Sequence, residues 1–253
     1  MTGSAAVIPA AFDAGVNFFF LSVDLHWPLY QELRRGLQQL LARRPSVREH
    51  LVVGAVSYLE EPLFGALQLH ELIDSIPGLG KVDLVIAGAV CHARSFHARL
   101  QSLLLARSIA HQGTRAIGAS FHDRGTALES LQGDCLDVHY IRYNSAHPAA
   151  AHEILPHLND DRKSLIFSFK SLMSVLTPER FRQLGFGEKD WLPEATDYYR
   201  FVLSEPRIDG ILCSPMSTDE LARLILSLDQ KPLTEPEREY MSWLSAIGSP
   251  QFF

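Results

Sequence analysis

The feature that most constrains this chain is a recurrence: short, continuously apolar runs separated by segments of helical spacing. Seven such runs, each rich in Val, Ile, Leu or Phe, occupy residues 16–21, 51–56, 82–86, 115–118, 138–142, 164–167 and 210–212. A strand with one face in water alternates apolar and polar residues. These runs do not alternate, so they read as strands covered on both faces. Most of their starts lie about 25–35 residues apart, the length of a βαβ unit. Repetition of that unit builds a parallel sheet with helices outside it. No GxGxxG follows an early strand, so a barrel fits better than an open dinucleotide-binding sheet.

The intervening segments support this. Residues 29–43 place Leu29, Leu33, Leu37, Leu40 and Leu41 on one stripe, with Arg34, Arg35 and Gln38 off it. Residues 95–111 form a second helix, with Ser95 as N-cap and Gly113 just past the end. Residues 219–228 and 235–245 read as two further amphipathic helices, and residues 5–14 as a helix ahead of the first strand. The expected fold is therefore α/β, a (β/α)8-type TIM barrel incomplete at its N-terminus, with the first strand missing. It spans residues 1–253 as a single domain. A barrel short of a strand leaves two unpaired edges, which a second copy, a partner protein or the N-terminal segment would cover.

Composition narrows the function classes. A net charge of -6 argues against binding a phosphate backbone, which needs a clustered basic surface. The Arg34-Arg35 and Arg43-Arg44 pairs sit on a helix and at its end and read as a solvated face. Cys91, Cys135 and Cys213 are too widely spaced for a disulfide framework or a cysteine zinc site. The first residues lack the basic and apolar regions of a signal peptide, and no apolar run approaches ~20 residues. A cytoplasmic protein acting on a small molecule is the expectation.

Barrel active sites lie at the C-terminal ends of the strands, and those ends are polar here. Asp24 and His26 follow the first strand, Tyr58 and Glu60 the second, Cys91 and His92 the third, His122 and Asp123 the fourth, and Arg142 ends the fifth. The candidate catalytic set is Asp24, His26, Tyr58, His122 and Arg142. Asp24 and His26 form either an acid/base pair or a loop capping the next helix. Asp123 beside His122 is either part of the chemistry or the cap of a helix starting near Gly125. Arg142 is either an anchor for a carboxylate or phosphate, or half of a buried ion pair with Asp24 or Glu60. Cys91 and His92 are adjacent, so their side chains point apart on extended backbone. Eleven histidines are present, but His26, His92, His122 and His147 have no HxH or HxxxH spacing, and no metal is expected. Residues 147–157 read as a Pro-started helix with His152 and Glu153 on its surface.

Four motifs carry a family resemblance. GVNFFF at 15–20, RAIGASF at 115–121, VHYIRYNSAHP at 138–148 and IDGILCSPMSTDELARLI at 208–225 occur in order on expected strands. Together they resemble the aldo/keto reductase superfamily, across roughly residues 5–244. The resemblance implies an NADPH-dependent oxidoreductase whose Tyr protonates a carbonyl, its pKa lowered by a Lys paired with an Asp. At the matching positions this chain departs from the family. The Asp and Tyr positions hold Phe20 and Leu25, the Lys position Val56 or Ser57, and the His position Ala87, Gly88 or Ala89. The cofactor positions implied by the family fall on Ser120, Tyr140, Phe167 and Ser214, with Arg223 as the one cation near the phosphate end. Two functions follow as expectations. One is an enzyme, possibly biosynthetic, using rebuilt hydride chemistry or non-redox acid/base chemistry such as dehydration or isomerisation. The other is a pseudoenzyme serving as a binding or scaffolding partner.

Overall fold

Every expected apolar run forms a strand in the computed structural model, which describes residues 2–110, 114–187 and 189–248. The strands are β1 (Phe18–Ser22), β2 (Val52–Ser57), β3 (Leu84–Val90), β4 (Ala116–Phe121), β5 (Val138–Arg142), β6 (Leu165–Phe169) and β7 (Gly210–Ile211). They lie in one sheet in chain order. The β1–β2, β2–β3, β3–β4 and β6–β7 pairs are parallel. Helix α1 (Val7–Asp13) precedes β1, where a helix was expected. The others are α2 (Gln31–Arg43), α3 (Pro62–Asp74), α4 (Ala93–Ala110), α5 (Arg124–Gln132), α6 (Ala150–Glu153), α7 (Pro178–Gln183), α8 (Ala195–Leu203), α9 (Thr218–Ser227) and α10 (Glu235–Gly248). Among the described residues, no helix is long and apolar enough to cross a membrane.

The chain divides into two compact units. One takes the chain through Tyr140 together with Ser214–Ala222; the other takes Ile141–Cys213 and the chain from Arg223 onward. In the first, Leu21, Val53, Ala55, Val56, Ile86 and Ala119 are at most 1% exposed, as strands covered on both faces require. Leu37 and Leu40 of α2 are fully buried against them. In the second, Ile141, Ile166, Tyr198, Val202, Met241 and Leu244 form the centre of the core.

One device recurs at the strand starts. The N–H of Asp83 donates to the carbonyl of Val53 (2.8 Å), and its Oδ2 accepts the N–H of the same Val53 (3.0 Å). Asp137 makes the same exchange with Ile117 (2.8 and 2.7 Å), and Asp209 with Ile166 (2.8 and 2.7 Å). A carboxylate just ahead of β3, β5 and β7 thus completes the neighbouring strand's first rung and fixes its register.

Several boundaries differ from the sequence reading. Residue 82 is buried but lies before β3, because Asp83 is taken up in the exchange just described. β3 runs on to Val90 through an irregularity in its register with β4 between Ala87 and Val90. Leu29 is exposed in a 3-10 turn (Pro28–Tyr30), so α2 starts only at Gln31. Ser95 is inside α4 rather than capping it. His92 holds that end, its Nδ1 accepting the Ser95 N–H (3.1 Å) and its carbonyl accepting Ser95 Oγ (2.9 Å). His111 and Gly113, the expected end of that helix, lie outside the described residues. Residues 147–157 form only the short α6 and a 3-10 turn (Leu155–His157). Pro156 cannot donate to a continuing helix.

Candidate functional site

In the first unit the ends of β1–β4 form the candidate active site. β1 ends at Ser22, whose Oγ accepts the N–H of Asp24 (3.1 Å), and Asp24 Oδ1 accepts the N–H of His26 (2.9 Å). The His26 ring stands 3.6 Å from the same carboxylate, but its side chain is 97% exposed. A pair so open to water is weakly coupled, and Asp24 shapes the loop through the His26 N–H. Buried Arg34 supports that loop from α2 through the carbonyl of Leu25 (2.9 Å).

The loop delivers Trp27, which meets Tyr30 and Tyr58 edge-on, each at 5.6 Å between centroids. Phe20 of β1 meets Tyr140 of β5 edge-on at 5.5 Å. Burial pushes the phenols of Tyr30, Tyr58 and Tyr140 upward, so each is protonated at neutral pH. Tyr58 differs in one respect: the Arg99 guanidinium draws its phenol back down.

Tyr58 leaves β2 directly after Ser57 and lays its ring across Gly88 of β3. A Cβ on Gly88 would come 2.4 Å from the ring Cε1, so only glycine leaves room for it. At the same point the backbone of β3 turns aside. Ala89 has φ 49°, a left-handed conformation that costs a non-glycine residue about 1–2 kcal/mol and that its surroundings must hold in place. The N–H of Ala89 donates to Ser120 Oγ (2.8 Å), and its carbonyl accepts from Arg99 Nη1 (2.8 Å). The same Nη1 donates to the carbonyl of Gly88. Arg99 Nε lies 3.6 Å from Glu60 Oε1. The irregular end of β3, Tyr58, Arg99 and Ser120 therefore form one connected group. Irregular strand ends of this kind commonly re-aim side chains beside active sites.

Glu60 and Cys91 touch the edge of that group, and the other candidates fall outside it. Glu60 is paired with Arg99, not with Arg142. Asp123 caps α5, its carboxylate accepting the N–H and Oγ1 of Thr126 (both 2.7 Å), which holds it below the usual carboxylate range. His122 is half-buried just before it. Cys91 is exposed and bonds the carbonyl of Ala89 (3.3 Å), while His92 is occupied at α4, so the two do not act on each other. In the second unit, Arg142 is half-buried at the end of β5. Phe167 covers Gly210, where a Cβ would come 2.6 Å from its ring. Arg223 is exposed on α9. Among the described residues, no group of three His, Cys, Asp or Glu side chains is placed to hold a metal. Sequence reasoning missed Arg99, because a residue two turns into a helix is not at a strand end. The available signal was Tyr58 three residues before the cap of a helix (Glu61, Pro62) and a glycine near the end of the next strand.

No family model and no curated protein matches the sequence. Solved structures do. An aldo-keto reductase of Bacillus halodurans in its holo form superposes with a TM-score of 0.72 at 10% identity, covering 95% of this chain and 86% of that one. The aldose reductase of Schistosoma japonicum gives 0.66 at 12% identity, covering 98% and 85%. An aldo-keto reductase enzyme from a Medee basin deep-sea metagenome library gives 0.64 at 13%, covering 98% and 88%. The fold is that of the aldo-keto reductases.

On the aldo-keto reductase fold the next question is whether these residues suit a nicotinamide cofactor. Ser120 Oγ already accepts the Ala89 N–H, although its own proton remains to donate. Tyr140 is fully buried behind Phe20 and offers no open edge. Ser214 is half-buried at the end of the last strand's loop. At the start of α9, Ser217 Oγ accepts the Glu220 N–H (3.2 Å) and Glu220 Oε2 accepts the Met216 N–H (2.9 Å). Those two amides are satisfied by the chain itself, and Asp219 and Glu220 put two carboxylates in the first turn. Like charge opposes a phosphate at that place. The first turn of α9 is a poor seat for the 2′-phosphate of NADPH.

Proposed function

We propose that this chain is a divergent member of the aldo-keto reductase superfamily, an enzyme acting on a small organic molecule that carries a carbonyl group. Tyr58 is its proton-transferring residue and Arg99 the charge that supports it. The fold, an eight-stranded barrel short of its first strand in this reading, suggests an oxidoreductase-type ancestor. The family's own Asp, Tyr, Lys and His are replaced in the reading by Phe20, Leu25, Val56 or Ser57, and Ala87–Ala89.

The observation that carries the proposal is the setting of Tyr58: a half-buried phenol seated on Gly88, edge-on to Trp27 and within electrostatic reach of Arg99. A phenol protonated at neutral pH is an acid. Its Oη gives a proton to the substrate's carbonyl oxygen while a carbon-bound proton beside the carbonyl leaves to water. The O–H electron pair stays on Oη as phenolate, which Arg99 stabilises until solvent returns a proton. The result is enolisation, the step shared by isomerisation and by dehydration of a β-hydroxy carbonyl compound. No hydride is required, which agrees with the poor fit of the NADPH phosphate end.

The experiment is α-proton exchange in D2O, followed by NMR on a panel of small ketones, aldehydes and hydroxy ketones. Exchange above the buffer rate should fall by about 100-fold in Tyr58→Phe, the usual worth of a general acid. Exchange that survives Tyr58→Phe overturns the role, and no exchange of any panel compound by the wild-type protein overturns the reading. A second reading, a non-catalytic binding partner, is favoured by the apolar solvent face of α3. It predicts no exchange together with a tight partner.

A further inference from the structure

The outer faces of α3 and α4 are unlike those of an ordinary surface helix. On α3, Leu63, Phe64 and Leu67 are 68%, 62% and 54% exposed; on α4, Leu104 and Leu105 are 39% and 48% exposed. They lie together. A Cβ on Gly65 would sit 3.6 Å from Ser102 Oγ and 3.7 Å from the Ala106 Cβ, so the first turn of α3 lies against the 102–106 turn of α4. On these two neighbouring helices the five side chains leave on the order of 400–500 Å² of apolar surface in all, a size that marks an interaction site rather than scattered exposure.

Charge is arranged around this patch in a directional way. Because β2, β3 and β4 are mutually parallel, α3 and α4 both return against the strands and run the same way. The contact at Gly65 makes them staggered. The start of α4, with exposed Arg94 and His97, extends from the patch in one direction. The end of α3, with exposed Glu71 and Asp74, extends in the opposite one. A two-fold axis through the patch places each copy's acidic end over the other copy's basic end. An unrelated apolar partner gives no reason for such an arrangement; self-association does.

We propose that this face, Leu63, Phe64 and Leu67 of α3 with Leu104 and Leu105 of α4, is where two copies of the chain associate in an isologous dimer. The apolar centres face each other, and Glu71 and Asp74 of each copy pair with Arg94 of the other. A stable dimer of standard size buries about 800 Å² per partner. The apolar patch supplies half of that, and the polar residues along both helices supply the rim. The surface uses neither Tyr58 nor Arg99, so the dimer does not depend on the proposed activity.

Sedimentation equilibrium on the full chain tests it. The wild type is expected to be dimeric at about 10 µM, and Phe64→Glu with Leu67→Glu to be monomeric there with an unchanged circular dichroism spectrum, a loss of affinity on the order of 100-fold. Arg94→Glu alone should weaken the dimer about tenfold, and adding Glu71→Arg and Asp74→Arg should restore most of it. A wild-type chain still monomeric at about 100 µM overturns the proposal. So does a dimer that survives the two glutamates, or a charge reversal that the compensating pair does not rescue. A monomer that instead binds lipid vesicles or a different protein through this face overturns it equally.

Discussion

The ring of Tyr58 occupies the space in which the side chain of residue 88 would stand. A Cβ on Gly88 would meet ring atoms at 2.4 and 2.5 Å and the Val56 Cγ2 at 2.8 Å. Neither neighbour is the free end of a flexible chain. Gly88→Ala should therefore expel Tyr58 from its seat against Trp27 and cost about 1–3 kcal/mol by overpacking. Urea denaturation measures the cost, and the near-ultraviolet dichroism of Trp27 reports the movement. In a Tyr58→Ala background the same change should cost clearly less, because the larger obstacle is gone. Equal costs in both backgrounds would show that the two residues are not coupled.

Arg99 acts on Tyr58 against burial. Burial raises the phenol and the guanidinium lowers it, so Arg99→Gln removes the lowering part alone and the phenol should ionise at higher pH than in the wild type. Spectrophotometric titration, with Tyr58→Phe subtracted to isolate the one residue, gives the direction. Arg99→Gln also deprives the carbonyls of Gly88 and Ala89 of a charged donor, at about 1.5–3 kcal/mol in stability. A titration unchanged or shifted downward would remove Arg99 from the proposed chemistry while leaving its structural role.

The three aspartates at the strand starts predict a stability effect remote from the site. Asp137→Ala leaves the Ile117 N–H without its carboxylate partner, and the expected cost is about 1–3 kcal/mol by urea denaturation. Asp209→Ala should behave alike, with the loss of the Arg162 pair added. Exchange of D2O into the Ile117 amide should quicken in Asp137→Ala. An amide as slow as before would mean that water or another group takes over the bond.

How far the sequence shows all this depends on the distance over which each effect acts. The strands were legible because continuous apolar runs reflect burial on both faces, which is local to the run. The order of elements and the helix before Phe18 followed from spacing alone. α3 was harder to see, because Leu63, Phe64 and Leu67 fill the face that ordinarily shows charge and so erase its helical stripe. The site was legible in part. Tyr58 and Asp123 stand out by their position after apolar runs and Ser120 by the family resemblance, and of its two readings Asp123 takes the capping one. The Asp24 and His26 pair looked like chemistry because of their spacing. Spacing carries no information on exposure, and the structure leaves His26 in open water. Arg99 could not be found that way, since its link to Ala89 spans a β-to-α connection and depends on the irregular end of β3.

Asp123 supplies a pH test with a known sign. Its folded pKa is depressed, first by the Thr126 backbone N–H and then by the Thr126 hydroxyl. A carboxylate depressed on folding stabilises the native state above its unfolded pKa of about 4, and that contribution is lost as pH falls through the lower folded value. Asp123→Ala should cost about 1 kcal/mol near pH 7, the usual worth of such a cap. The difference between variant and wild type should shrink only below about pH 4. A gap that closes between pH 5 and 7 instead would mean that the Asp123 carboxylate is not the titrating group.

The start of α9 decides what becomes of NADPH. The Met216 and Glu220 amides are engaged by Glu220 and Ser217, and Asp219 adds a second carboxylate. A 2′-phosphate brought there meets repulsion where a helix start would otherwise attract it. NADPH should therefore bind no more tightly than NADH in calorimetric titration, both being weak. Asp219→Asn with Glu220→Gln removes both charges. Each is worth about 0.3–1 kcal/mol at a helix end, so NADPH should gain about 3- to 30-fold over NADH. The neutral Gln keeps an acceptor for the Met216 amide, which separates the effect of charge from that of a lost cap. If the wild-type protein already prefers NADPH by tenfold or more, the phosphate is held by other residues, and a hydride reaction returns as the leading chemistry for Tyr58.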